Sequence, residues 1–152
     1  HAHRRAVGGA DPRDGRCRVI PRTLDALRSA VARVLTARGE APDALRVTAD
    51  NREWLTSITI DAPAGQWWGS GRGEPDAVWT AWSVFYDHVW RDASGARLAR
   101  RVGERAGASE TALATLRAAE DRAQAALGAA RAVEIEQEEH ALTAARAVEA
   151  GE

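Results

Sequence analysis

Residues whose types could support catalysis or metal binding are few and scattered along the chain. Its 152 residues include four histidines, at positions 1, 3, 88 and 140, and one cysteine, Cys17. Nucleophilic catalysis needs a nucleophile beside a base, and a structural zinc site needs four close Cys or His ligands. The sequence contains neither pattern, and no pair of carboxylates stands in an unusual local setting. We therefore expect a protein that is not an enzyme and that uses no metal and no cofactor.

One glycine-rich segment could bind an anion. The letters GSGRG at 69–73 follow a predicted strand and precede a predicted helix. Backbone amides at a helix N-terminus can hold an anion, and Arg72 would add positive charge. Dinucleotide and P-loop sites, however, need a parallel βαβ unit, whereas this strand belongs to an antiparallel meander. We therefore favour a turn in which the glycines adopt positive φ, with an anion site as the alternative.

Composition narrows the class of protein. The chain is 45% hydrophobic and 28% charged, with a net charge of −1. It has no run of 18 apolar residues, which predicts no membrane-spanning helix. A net charge near zero argues against a wholly electrostatic nucleic-acid binder. Because Cys17 alone cannot form an internal disulfide, we predict a reducing, cytoplasmic location.

Hydrophobic periodicity predicts an α+β fold. Helical spacing marks a helix over 21–39, and alternation marks strands over 45–49, 54–60 and from 66, joined by turns at 50–51 and 62–65. The second strand would place Trp54 on the same side as Thr56, Ile58 and Ile60. Helices are predicted over 75–91, 96–106 and 109–150. The fold class is thus an αβββα core, a three-stranded antiparallel sheet with two helices, followed by a long Ala-rich C-terminal helix. Three regions follow, a flexible basic arm over 1–15, the core domain over 16–92 and a helical extension over 93–152.

The second predicted helix has more apolar surface than one sheet can cover. Val78, Trp82, Phe85 and Val89 form one stripe, and a second stripe of large aromatic residues lies beside it. The long helix carries a heptad seam of mostly small residues. It should pack on the second stripe, on a copy of itself or on a partner. The predicted partner-binding residues on these two surfaces are Trp79, Tyr86, Trp90, Leu116, Ala123, Ala130 and Val133.

The order of elements over 21–91, with GSGR at 69–72 before the second helix, resembles the double-stranded-RNA-binding domain. The resemblance implies an αβββα fold and RNA binding through lysines at the start of the second helix. The letters at that point are GEPD, at 73–76, and two acids there would repel a phosphate backbone. The same scaffold is similar to that of HicB-type antitoxins, which implies a protein partner.

A second resemblance covers residues 102–116. This segment is similar to the helix-turn-helix of bacterial repressors, with GAS at 107–109 as its turn, and it implies base contacts from the helix that follows. A helical hairpin with a capped turn is the favoured interpretation of this segment, and DNA binding is the alternative. The residues predicted to contact nucleic acid are Arg72, Arg97, Arg100, Arg101 and Arg105.

These patterns lead to one functional hypothesis and one alternative. The sequence favours a non-catalytic binding or adaptor protein whose long helix mediates self-association or docks a protein partner. The alternative is a nucleic-acid-associated regulator, either antitoxin-like or a DNA- or RNA-binding accessory protein.

Overall fold

The computed structural model describes residues 10–11, 16–17 and 21–151. The sheets and helices are, in chain order, β1 (Ala10–Asp11), β2 (Arg16–Cys17), α1 (Leu24–Arg38), a 3₁₀ turn (Pro42–Ala44), β3 (Arg46–Arg52), β4 (Leu55–Ala62), β5 (Gly65–Gly71), α2 (Glu74–Arg105) and α3 (Glu110–Glu149). The fold is α+β, as predicted. Of the arm predicted over 1–15, only β1 lies among the described residues, and it pairs antiparallel with β2.

Strands β3, β4 and β5 form an antiparallel sheet in that order. The register aligns Val47 with Ile60, so that the apolar side chains of both strands lie on one face. This register fixes the first turn at Glu53 and Trp54, with Glu53 at a φ of 51°. The turn predicted at 50–51 is therefore wrong. Trp54 lies in the turn and is exposed, rather than on the core side of β4 with Ile58 and Ile60.

Helix α1 is capped at both ends. At its start the Thr23 hydroxyl accepts a hydrogen bond from the Ala26 amide at 3.1 Å, and a carboxylate oxygen of Glu74 accepts one from the Leu24 amide at 3.1 Å. At its end Gly39 has a φ of 90°, the left-handed geometry that glycine favours at this position. Since Glu74 is the first residue of α2, the beginnings of α1 and α2 lie together.

Helix α2 runs without interruption from Glu74 to Arg105, so the break predicted between residues 91 and 96 is wrong. A glycine inside a helix costs about 1 kcal/mol, and the contacts of α3 offset that cost at Gly95. The side chain of Gln124 donates a hydrogen bond to the Ala93 carbonyl, and Arg100 pairs with Glu120. Helix α2 therefore continues past residues 92 and 93, where the core domain was predicted to end and the helical extension to begin.

Helix α3 folds back over α1 and α2. It runs antiparallel to α2, because Arg100 meets Glu120 near the loop between the helices whereas Trp82 meets Glu134 much further along. The helices α1 and α2 touch each other little, and α3 packs against both of them. The buried residues of α3 that join the main core are Ala123, Ala126, Leu127, Ala130 and Val133.

Two glycines of β5 allow α2 to lie directly on the strand. A Cβ atom at Gly69 would stand 2.3 Å from the Ala81 nitrogen, and one at Gly71 would stand 2.6 Å from Cβ of Asp76. Neither glycine has positive φ, so the positive-φ turn predicted for this segment is wrong. Both glycines belong to a strand and serve close packing.

Within residues 10–11, 16–17 and 21–151, no helix is both long enough and apolar enough to cross a bilayer.

Candidate functional site

The residues predicted to bind a partner lie mostly inside the chain's own core. Tyr86, Ala123, Ala130 and Val133 are buried. The remaining three, Trp79, Trp90 and Leu116, are partly buried. Helix α3 packs along α2, and its Glu134 contacts Trp82, so α3 of the same molecule covers part of the apolar surface of α2. A binding surface has to be sought elsewhere on the protein.

A buried polar contact fixes the position of α3 on α2. The indole nitrogen of Trp82 donates a hydrogen bond to a carboxylate oxygen of Glu134 at 2.9 Å, and both residues are almost fully buried. Replacing a buried charged contact by apolar groups of similar shape is often neutral or stabilising. We assign the pair a role in setting the helix register, because it can form in only one alignment of α3.

The five arginines predicted to contact nucleic acid do not form one patch. Arg97 and Arg100 on α2 both pair with Glu120 on α3, and Arg100 also pairs with Glu104. Donation from Arg100 holds the pKa of the Glu120 carboxyl below its usual value. The ion pairs of these two arginines therefore hold α2 and α3 together.

Three of the five arginines remain available. Arg101 and Arg105 are exposed, and within the described part of the chain no ion pair is seen for either. Arg72 lies far from them at the end of β5, with its guanidinium carbon 5.9 Å from the centroid of the Trp54 ring. Such a distance is typical of a cation–π contact.

The structure over 102–116 matches the favoured helical hairpin rather than the helix-turn-helix that the resemblance implies. The two helices of a DNA-binding motif of that kind cross at about 90–120°, whereas α2 and α3 pack antiparallel along much of their length. The connection is a capped hairpin turn. Gly107 has a φ of 72°, and the Ser109 hydroxyl accepts a hydrogen bond from the Ala112 amide.

The outer face of the sheet, turned away from the helices, exposes two tryptophans. Trp68 is 61% exposed on β5, and Trp54 is 66% exposed in the β3–β4 turn. Because side chains alternate along a strand, Trp68 points away from the core that its neighbour Trp67 enters. We call this surface the tryptophan face; it comprises Trp54, Trp68, Arg72 and the outward residues of the three strands.

Polar side chains surround the two tryptophans. The strand register sets three cross-strand rows on this face: Arg46, Asp61 and Gln66; then Thr48, Thr59 and Trp68; then Asp50, Ser57 and Ser70. Charges on the face and its turn are balanced, with three arginines against three acids, and Arg52 pairs with Asp50 at 3.0 Å. The face can offer flat apolar contact and hydrogen bonds without a net charge.

Sequence reasoning did not single out the tryptophan face, although one signal pointed to it. Trp67 and Trp68 are consecutive in a predicted strand, and consecutive strand residues face opposite ways. One of the two therefore had to point away from any single-sided core. Trp54 carried no comparable signal, because its exposure depends on where the turn falls.

The described residues contain no group of three or more His, Cys, Asp or Glu side chains arranged to hold a metal ion. Comparisons with family profiles, with curated proteins and with solved structures find no match to this chain, so any functional assignment rests on its own geometry.

Proposed function

We propose that this chain is a non-catalytic binding protein that docks a partner protein on its tryptophan face. The observation that carries the proposal is the exposure of Trp54 and Trp68 on a sheet whose other face buries Trp67. Large aromatic side chains left in water contribute little to folding. Tryptophan and arginine are the residue types most enriched at the energetic centres of protein interfaces.

Charge balance favours a protein partner over nucleic acid. Nucleic-acid binders need a surplus of positive charge to replace the counterions of phosphate. On the tryptophan face Arg46, Arg52 and Arg72 are offset by acids on the same surface. At the start of α2, Glu74 accepts a hydrogen bond from the Leu24 amide. An acid therefore caps α1 at the place where a double-stranded-RNA-binding domain would carry lysines.

The shape of the surface favours a macromolecule over a small ligand. Small-molecule sites are concave and enclose most of the ligand. Two cavities of the protein open away from this face, one beside the end of α2 and one between α1 and the start of β5. An exposed sheet surface that carries two tryptophans is suited to a second protein surface.

Two further parts of the functional hypothesis stay predictions. The middle of α3 is used inside the molecule, so docking through the long helix would fall to its exposed end, residues 141–151. A reducing, cytoplasmic compartment rests on the single Cys17. The proposed docking on the tryptophan face depends on neither.

Site-specific photo-crosslinking in cells tests the proposal. A photoreactive residue replaces Gln66 on the tryptophan face or, as a control, Ser94 on the exposed side of α2. A protein that is captured from position 66 but not from position 94 is then purified. Its affinity is measured for the wild type and for Trp68→Thr. We expect the affinity to fall about 30-fold or more, the loss typical of an interface centre.

Val84→Ala, an exposed apolar residue away from the sheet, is the matched control and should leave the affinity unchanged. Circular dichroism confirms that each variant folds. Unchanged binding by Trp68→Thr would overturn the proposal. So would binding to duplex DNA or RNA that weakens with salt and is lost in Arg101→Ala/Arg105→Ala, since that result would establish the nucleic-acid alternative.

A further inference from the structure

A cavity of about 170 Å³ opens where the end of α1, the β4–β5 turn and the middle of α2 converge. It lies on the helix side of the sheet, away from the tryptophan face. Its apolar lining draws on three helices, with one residue from α3. The apolar lining residues are Val34, Leu35, Ala64, Phe85, Val89 and Ala126.

The charged side chains that line this cavity are one arginine and two acids. Arg38 donates to Asp92 at 2.8 Å and approaches Glu40 at 3.5 Å, so two carboxylates share one guanidinium. Glu40 and Asp92 are only 22% and 29% exposed, which limits screening by water. Helix α1 ends here, and the negative end of a helix dipole favours a cation.

An aromatic wall closes the remaining side. Trp67 packs edge-on against Phe85 with ring centroids 5.1 Å apart, and the His88 ring lies 4.7 Å from Trp67. The electron-rich faces of aromatic rings attract cations and stack on flat apolar groups. The cavity is close in size to an apolar cavity of about 150 Å³ that accommodates benzene.

We propose that this cavity binds a small organic cation, an ammonium that carries one ring-sized apolar group. The ammonium contacts Glu40 and Asp92 at the mouth as a second cation beside Arg38, and the apolar group lies against Trp67, Phe85 and Val89. This site is separate from the tryptophan face and does not depend on the function proposed for that face.

Three probes that share one phenyl ring and differ in charge test the site, namely 2-phenylethylammonium, 2-phenylethanol and 3-phenylpropionate. Each is titrated into the full chain while NMR follows the Trp67 indole and His88 ring signals. We expect the ammonium to bind with a Kd of about 1–10 mM, the alcohol about tenfold more weakly, and the carboxylate most weakly.

Two variants locate the binding. Glu40→Gln keeps the contact between Arg38 and Asp92 and should remove the preference for the ammonium, whereas Glu53→Gln on the distant turn should leave it intact. Ala64→Phe changes an exposed turn residue and should block the mouth to all three probes. Equal affinity for the three probes, an absence of Trp67 shifts at about 20 mM ammonium, or a preference that survives Glu40→Gln would each overturn the proposal.

Discussion

Trp67 and Trp68 are neighbours in the chain and have opposite surroundings. Trp67 lies against Phe85 and His88 under α2, whereas Trp68 stands beside Thr59 on the outer face of the sheet. At Gly69 the helix side of the sheet is packed so closely that even a methyl group has no room. The outer side has no such constraint. The same residue type therefore supports the fold on one face and is available for recognition on the other.

Trp82→Ala should have the largest effect on stability and tests the inner side of this comparison. Trp82 is fully buried and donates a hydrogen bond to Glu134. Its removal leaves a cavity and takes the indole donor from the carboxylate. We expect the free energy of unfolding to fall by about 3–5 kcal/mol, measured by urea denaturation. Trp54→Ala, on the exposed side of the sheet, is the control. An equal loss of unfolding free energy in both variants would show that the two faces do not differ in their contribution to stability.

Gly69→Ala should have the second-largest effect on stability. The added methyl group would collide with the Ala81 backbone, and backbone cannot move aside as a flexible side chain can. Overpacking of this kind costs about 1–3 kcal/mol, which thermal unfolding would detect. Ser70→Ala changes the next residue, which points outward, and should cost less than about 0.5 kcal/mol. If Gly69→Ala unfolds at the same temperature as the wild type, α2 does not pack tightly on β5.

The Arg100–Glu120 pair gives a smaller effect that depends on pH. The pKa of Glu120 lies below its usual value because Arg100 donates to it. The pair therefore contributes fully above the usual glutamate pKa, and its contribution is lost as the pH falls toward the lowered value. We expect Glu120→Gln to lower the melting temperature slightly at neutral pH and to flatten its decline in acid. If the melting temperatures of the wild type and Glu120→Gln fall by equal amounts between neutral and acid pH, this account is contradicted.

Trp68→Thr should have the smallest effect on folding. Trp68 is largely exposed, and threonine suits a strand surface. We expect a change in unfolding free energy within about 0.5 kcal/mol. A loss above about 2 kcal/mol would mean that the tryptophan face stabilises the fold, and would remove the reason for assigning it to recognition.

Much of the fold could be predicted because its signals are local. The cap at Thr23, the stop at Gly39 and the apolar stripe between them define α1, and each acts within a few residues. The heptad seam of the long helix also identified the stretch from Ala123 to Val133 that the structure buries. What the seam could not specify was its partner, because small residues fit a second copy as well as the chain's own helices.

The errors arise where distant contacts override local preference. Gly95 suggests a helix end, yet α3 supports α2 across it through Gln124 and Glu120. The glycines of β5 suggest a turn, and only the arrival of α2 shows that they admit a neighbouring backbone. The position of the first hairpin turn likewise follows from the pairing of Val47 with Ile60, two residues thirteen positions apart.

The return of α3 over α2 has a consequence during synthesis. Residues 79–90 emerge from the ribosome before the segment around Glu134 that covers this side of α2. At about 5–20 residues per second, a nascent chain keeps this aromatic stripe uncovered for on the order of seconds. Chaperones therefore have an apolar surface to hold during that interval, and a truncated translation product would keep it permanently.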